Sequence, residues 1–206
     1  MKSDRMDEII SGWINCAGSG SRDSDGHLLT LFALGLSSKA QTFLELGVRG
    51  GATTLPLLAA ANKNGGHLYS VDIKATDFEV PVSLESSWTF TKSDSIDYLR
   101  NWDPKVKIDF AYLDDWHAYD HVKQELELLD PLVGPSSIIL AHDLMYGHTE
   151  PFYHSDLLVK KGQWAEGGPY RAIAELDTNF WEFSTLPWSN GLTILRKKYS
   201  SLYHKR

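Results

Sequence analysis

Five short apolar runs in this 206-residue sequence run out into acids: Glu45, Asp72, Asp94, Asp114 with Asp115, and Asp143. Carboxylates brought together repel one another and lose hydration. A cluster of them therefore needs partners: the hydroxyls and amines of a ligand, a metal ion, or the free amides of helix N-termini. Asp94, followed by Ser95, fits a helix N-cap as well as a ligand contact. The set as a whole points to a ligand. Beside the first acid lies Phe43-Leu44-Glu45-Leu46-Gly47-Val48-Arg49-Gly50-Gly51-Ala52-Thr53-Thr54. Glycines after a buried strand let the backbone turn tightly against a ligand, and a helix starting near Ala52 would present its free amides there. A dinucleotide fingerprint requires Gly-x-Gly-x-x-Gly; here Arg49 stands at the second glycine, leaving Glu-x-Gly-x-x-x-Gly. Asp72, about twenty residues beyond Gly51, is placed to accept both hydroxyls of a ribose.

The acids meet only if their strands lie side by side. Strands are predicted at Thr42–Leu46, His67–Asp72, Trp88–Lys92, Ile108–Leu113 and Ser136–Ala141. Helices are predicted between them at Ala52–Asn62, Ser95–Asn101 and Asp120–Leu129. The last turns Val122, Leu126 and Leu129 inward and leaves Lys123, Glu125 and Glu127 for the solvent face. Such alternation implies parallel strands, right-handed crossovers and helices on both faces, with ligands bound outside the carboxyl ends of the strands. Two further helices, Asp4–Cys16 and Asp25–Leu36, precede the first strand, with Asp25 as N-cap. After a predicted helix at Tyr170–Asn179, Trp181–Leu186 and Leu192–Arg196 flank a short Asn-Gly loop and read as an antiparallel hairpin. The expected organisation is one α/β domain: a helical extension over residues 1–39 and a core over 40–206.

Composition narrows the function classes. With 42% hydrophobic and 23% charged residues the chain is that of an ordinary globular protein. A net charge of -7 argues against a reader of duplex DNA, and the clustered basic residues, Arg196-Lys197-Lys198 and His204-Lys205-Arg206, read as a solvated tail. Cys16 is the single cysteine, which fits a reducing compartment. The acidic start lacks a signal peptide's apolar run, and no stretch approaches the ~20 apolar residues of a membrane span. The expectation is a cytoplasmic protein with a small-molecule partner, without nucleic acid or membrane, homodimerisation being left open.

Two motifs carry a family resemblance. Glu45-x-Gly47-x-x-x-Gly51 resembles motif I of the S-adenosylmethionine-dependent methyltransferases, whose ligand has no pyrophosphate and so does not require the second glycine. Ile108-Asp109-Phe110-Ala111-Tyr112-Leu113-Asp114-Asp115-Trp116-His117 resembles the small O-methyltransferase pattern of a strand ending in Asp, then two residues, then His, before a helix. Ile138-Ile139-Leu140-Ala141-His142-Asp143 resembles that family's next strand. The resemblance covers roughly residues 43–143 and, more loosely, the C-terminal hairpin. It is nearest to bacterial small-molecule O-methyltransferases, with catechol O-methyltransferase a more distant relative.

The resemblance implies a Rossmann-like, seven-stranded, mostly parallel sheet ending in the antiparallel hairpin. It implies a donor, S-adenosylmethionine, held by Glu45, Gly47, Gly51, Asp72, Ser93, Asp94 and Asp114. Asp114 and His117 would be catalytic, His117 as general base because imidazole titrates near neutral pH. Asp114 and Asp143 would hold the acceptor or a divalent cation such as Mg2+, with His142 or Asp115 completing the set. Leu144 departs from the catechol pattern, which has an asparagine ligand there. Capping of the following helix is the alternative for His117, and core packing the alternative to an acceptor pocket for Trp116 and Tyr119. His27, His67 and His148 carry no spacing that suggests a metal, and His121 reads as a surface residue of the same helix with no assigned role. The connection Leu144–Pro169 is long and aromatic, with Tyr146, His148, Phe152, Tyr153, His154 and Trp164, and reads as an acceptor wall hinged at Gly167-Gly168-Pro169. Two other classes stay open: a NAD-dependent oxidoreductase, disfavoured by Arg49, and a catalytically silent module of the same fold.

Overall fold

The computed structural model describes residues 6–19, 23–144 and 165–199. The run Thr42–Leu46 forms β1, and the sheet grows from it on both sides. β2 (His67–Asp72), β3 (Trp88–Lys92), β4 (Phe110–Leu113) and β5 (Ile138–His142) are parallel to it, in the order β3-β2-β1-β4-β5. β6 (Trp181–Leu186) and β7 (Leu192–Lys197) complete seven strands, β7 pairing antiparallel with both β5 and β6. This is the Rossmann-like sheet with a C-terminal hairpin that the sequence predicts. The order reverses between β1 and β4, and there the crevice for a ligand opens.

Side chains alternate along each strand, so the sheet is buried on both faces. Leu44, Leu46, Ala111 and Leu113 meet Val122, Leu126 and Leu129 of α5 (Tyr119–Leu129). On the other face Phe43, Phe110 and Tyr112 pack with Leu57 and Leu58 of α3 (Thr54–Lys63). Leu31, from α2 (Leu28–Ser37), joins that face. α1 (Met6–Ser19) docks outside it through Trp13, which is buried with Leu28 and Ala59. No helix among the described residues is long and apolar enough to cross a membrane.

Element ends move where side chains compete for the backbone. β4 begins at Phe110 rather than Ile108, because the Asp109 carboxylate accepts the amides of Gln41 (2.9 Å) and Thr42 (3.0 Å). Asp25 is not an N-cap: it is buried inside a 3-10 turn, Asp25–His27, and α2 starts after it. The helix expected at Tyr170–Asn179 is α6, Gly168–Ala174. It ends early because the Asp177 carboxylate takes the Asn179 amide at 2.8 Å and the Asp177 carbonyl takes Phe180 and Trp181, closing a turn. Residues 145–164 lie outside the described residues, and with them every aromatic residue expected in the acceptor wall. α4 (Ser95–Arg100) stands as predicted to within a residue.

Candidate active site

The loop from Gly47 to Thr53 is shaped by contacts that only glycine permits. Gly47 has φ +90°, and a side chain there would run into the carbonyl of Asp114. Gly51 has φ +76°, and a side chain would strike the ring of Phe78. Arg49 also takes a left-handed conformation, φ 50°, which a non-glycine residue adopts at a cost. Asp72, at the end of β2, compensates. Its Oδ2 accepts the amides of Val48 and Arg49, both at 2.9 Å, and its Oδ1 accepts Lys74 at 2.8 Å.

Glu45 lies one layer beneath this loop. Fully buried, it accepts hydroxyls from Thr53 (2.9 Å), Thr54 (2.9 Å) and Ser70 (2.7 Å). Burial pushes its carboxyl up to about 7, although the three hydroxyls favour the charged form. It anchors the start of α3 from below, whereas Gly47 and Asp72 stand at the surface of a cleft of about 570 Å³. Ser93, Asp94, Ser95, Asp115, Trp116 and His121 line the same cleft. Asp94 is also the N-cap of α4, accepting Ile96 at 2.9 Å and Asp97 at 3.2 Å. Asp94 is therefore an N-cap that also lines the cleft.

Next to the cleft, the ends of β4 and β5 bring Asp114, His117, His142 and Asp143 together. His117 Nε2 is 3.3 Å from Asp114 Oδ1 and 3.1 Å from Asp143 Oδ2. His142 Nδ1 is 3.3 Å from Asp114 Oδ1 and 3.2 Å from Asp143 Oδ1. The other ring nitrogen of His142 lies 2.9 Å from the carbonyl of Ser189, an acceptor only, so Nε2 carries a hydrogen. Asp114 also accepts the hydroxyl of Tyr112 at 3.0 Å. Burial alone would raise Asp114, but the charge of His142 and hydrogen bonds from His117 and His142 hold it well below the carboxylate range. Burial likewise opposes the charged form of His117, yet its hydrogen bond to Asp114 and the charge of Asp143 raise it. His142 is raised for the same reason.

The donor set fits a divalent cation. Ligand atoms of Asp114, His117 and Asp143 lie within 4.8 Å of one another, and His142 Nδ1 faces the oxygens of both carboxylates. Leu144 is buried and offers no ligand where the catechol pattern has asparagine. His117 sits in this cluster ahead of α5, whose N-cap is Ala118; His117 does not cap it.

A second cluster lies where the sequence predicts a solvated helix face. Glu125 is fully buried, and its Oε1 faces His121 Nε2 at 3.4 Å. Asp115 Oδ2 lies 3.1 Å and Ser95 Oγ 2.9 Å from the same nitrogen. Burial and then the charge of Asp115 push Glu125 up to about 8. Against burial, hydrogen bonds to Asp115 and Glu125 raise His121 to about 10. The one legible signal for this cluster was the four-residue spacing of His121 and Glu125 on α5, which puts both on one helix face. His27, also without a predicted role, is buried and lies 2.9 Å from the carbonyl of Trp188.

A family model described as a methyltransferase domain matches residues 44–144. No curated protein sequence matches the chain. Among solved structures, an O-methyltransferase from Bacillus cereus in complex with SAH is 15% identical, TM-score 0.62, over 96% of this chain and 94% of that one. An SAH-bound methyltransferase from Podospora anserina is 14% identical, TM-score 0.62, over 82% and 76%. A Corynebacterium glutamicum protein is 14% identical, TM-score 0.62, over 100% and 94%. The matched segment runs from β1 to the residue after Asp143 and so contains the glycine loop, the cleft and the acid–histidine cluster. Residues 44–144 thus match a methyltransferase domain, and the chain as a whole shares the fold of the bacterial O-methyltransferases of solved structure.

Proposed function

We propose that the protein transfers a methyl group from S-adenosylmethionine to a hydroxyl of a small molecule, with His117 as general base. The observation that carries the reading is contiguity. Gly47, the tightest point of the loop, packs on the backbone of Asp114, so the cleft ends where the acid–histidine cluster begins. The bound donor supplies a sulfonium methyl that is already electrophilic. The protein's task is then to align an acceptor oxygen and take its proton.

Gly47 and Gly51 shape the donor's bed, Asp72 offers its carboxylate to the ribose, and Ser93 and Asp94 face the base. Ile73 and Trp116 are large apolar side chains left exposed in the same cleft, suited to the two faces of an adenine ring. Asp114 and Asp143 hold His117 between them and keep its proton in place until their charge is countered. A divalent cation bound by Asp114 and Asp143, with His142 Nδ1, would supply positive charge that lowers the pKa of an acceptor hydroxyl and would leave His117 free to take its proton. A small-molecule acceptor rather than a nucleic acid belongs to the same proposal, supported by the acidic balance of the chain.

Calorimetry tests the donor. S-adenosylmethionine or S-adenosylhomocysteine should bind, and Asp72→Ala should weaken binding about tenfold or more, the loss expected when a charged hydrogen-bonding group is removed. Binding of NAD in their place would overturn the reading.

A further inference from the structure

We propose that Asp115, His121 and Glu125 form a second divalent-cation site, distinct from the Asp114–His117–Asp143 cluster, for a transition ion of the Mn2+ or Zn2+ class. The donors come from two directions. His121 and Glu125 stand four residues apart on one face of α5, the spacing by which a single helix offers two ligands to one metal. Asp115 reaches in from the loop after β4, and Ser95 Oγ, at the start of α4, lies 2.9 Å from His121 Nε2.

The spacing suits an ion. Neighbouring ligands about 2.1 Å from one cation are roughly 3.0 Å apart in octahedral and 3.4 Å apart in tetrahedral geometry. The three oxygens around His121 Nε2 stand at 2.9, 3.1 and 3.4 Å. One N–H can serve only one of them well, whereas a cation serves all the donors at once.

Independent support comes from Glu125. Its side chain is wholly buried and aimed at this point: Oε1 makes only a long contact, 3.4 Å, with the shared His121 Nε2, and Oε2 lacks a hydrogen bond among the described residues. His121 is shared with Asp115 and Ser95 and meets this buried carboxylate at long range, a poorly satisfied arrangement that an ion between them would complete. One imidazole and two carboxylates form a mixed nitrogen and oxygen set, which favours Mn2+ or Zn2+ over Ca2+. Asp115 and His121 also line the donor cleft, which gives an ion a route in and room for water. An ion here ties α5 to the start of α4 and stiffens the cleft wall. The proposal does not depend on the methyl-transfer reading.

The test is a Mn2+ titration of the metal-stripped full chain, following free Mn2+ by electron paramagnetic resonance. Asp143→Asn disables the first cluster and should leave one Mn2+ equivalent bound. Adding Glu125→Gln should remove that equivalent or weaken it tenfold or more. No binding by Asp143→Asn, or unchanged binding by the double variant, would overturn the proposal. Should the double variant fail to fold, wild-type crystals grown with Mn2+ decide. An anomalous peak between His121 Nε2 and the Glu125 carboxylate supports the site, and a peak only at Asp114 and Asp143, or none, refutes it.

Discussion

At the scale of single residues, the site is governed by buried carboxylates and what satisfies them. His117 lies between Asp114 and Asp143, so its removal should take away proton transfer while sparing the donor's bed. His117→Ala is expected to lower kcat by about 10²- to 10⁴-fold, the usual worth of a general base, with donor affinity unchanged by calorimetry. Glu45 has the opposite character: three hydroxyls surround it, and burial raises its carboxyl to about 7 from an ordinary 4.5. The folded state thus holds the proton more tightly than the unfolded one. Stability from this group is present below pH 4.5 and is lost as pH rises to about 7. The span corresponds to roughly 3 kcal/mol. Glu45→Gln keeps an acceptor for the hydroxyls and cannot ionise. Denaturant unfolding of the two proteins across that range should give curves that separate with pH; parallel curves would show that Glu45 does not titrate there.

At the scale of elements, the loop between β1 and α3 depends on two glycines and tolerates change at a third. Gly47 and Gly51 have left-handed backbones and no room for a side chain, whereas nothing lies within 4 Å of a side chain placed at Gly50. Gly47→Ala must push β1 and the segment after β4 apart. It should cost about 2 kcal/mol or more and abolish donor binding. Gly50→Ala should fold and bind as wild type, with stability changed by less than about 1 kcal/mol. Thermal unfolding and donor titration of the pair check both. Equal behaviour would mean that the loop relaxes freely.

Across the whole molecule, distant segments close on one cluster. His27, from the turn before α2, lies 2.9 Å from the carbonyl of Trp188 and 3.2 Å from that of Ser189 in the β6–β7 turn. Ser189 in turn takes His142 Nε2, and the two imidazole rings meet edge-on at 5.5 Å. The N-terminal extension and the C-terminal hairpin therefore both orient His142. His27→Ala leaves those carbonyls short of a buried donor, a loss of about 1–3 kcal/mol. Hydrogen exchange at the Gly191 amide, bonded to Trp188, should quicken, and kcat should fall more than donor affinity. An unchanged exchange rate would separate the extension from the site.

Much of this was legible in the sequence, because it rests on local rules. A short apolar run forms a strand wherever it can be buried, so β1, β2, β3 and β6 begin and end as predicted, and Gly47, Gly51 and Asp72 announce by residue type and order alone the tight turn that Asp72 braces. Strand ends also determined which acids share an edge. Tertiary structure decided what those acids do. Glu45 looks like a ligand contact in one dimension, yet it points to the α3 face and is consumed by Thr53, Thr54 and Ser70. Glu125 reads as solvated because helix periodicity sees only its own helix, and it is buried because Asp115 and Ser95 arrive from other segments. Partners far apart in sequence leave no periodic trace, since their pairing is set by how the sheet brings segments together. Sequence determined the scaffold and which acids share one edge, and packing alone decided which carboxylates are consumed inside the fold, which pair with histidines and which line the cleft.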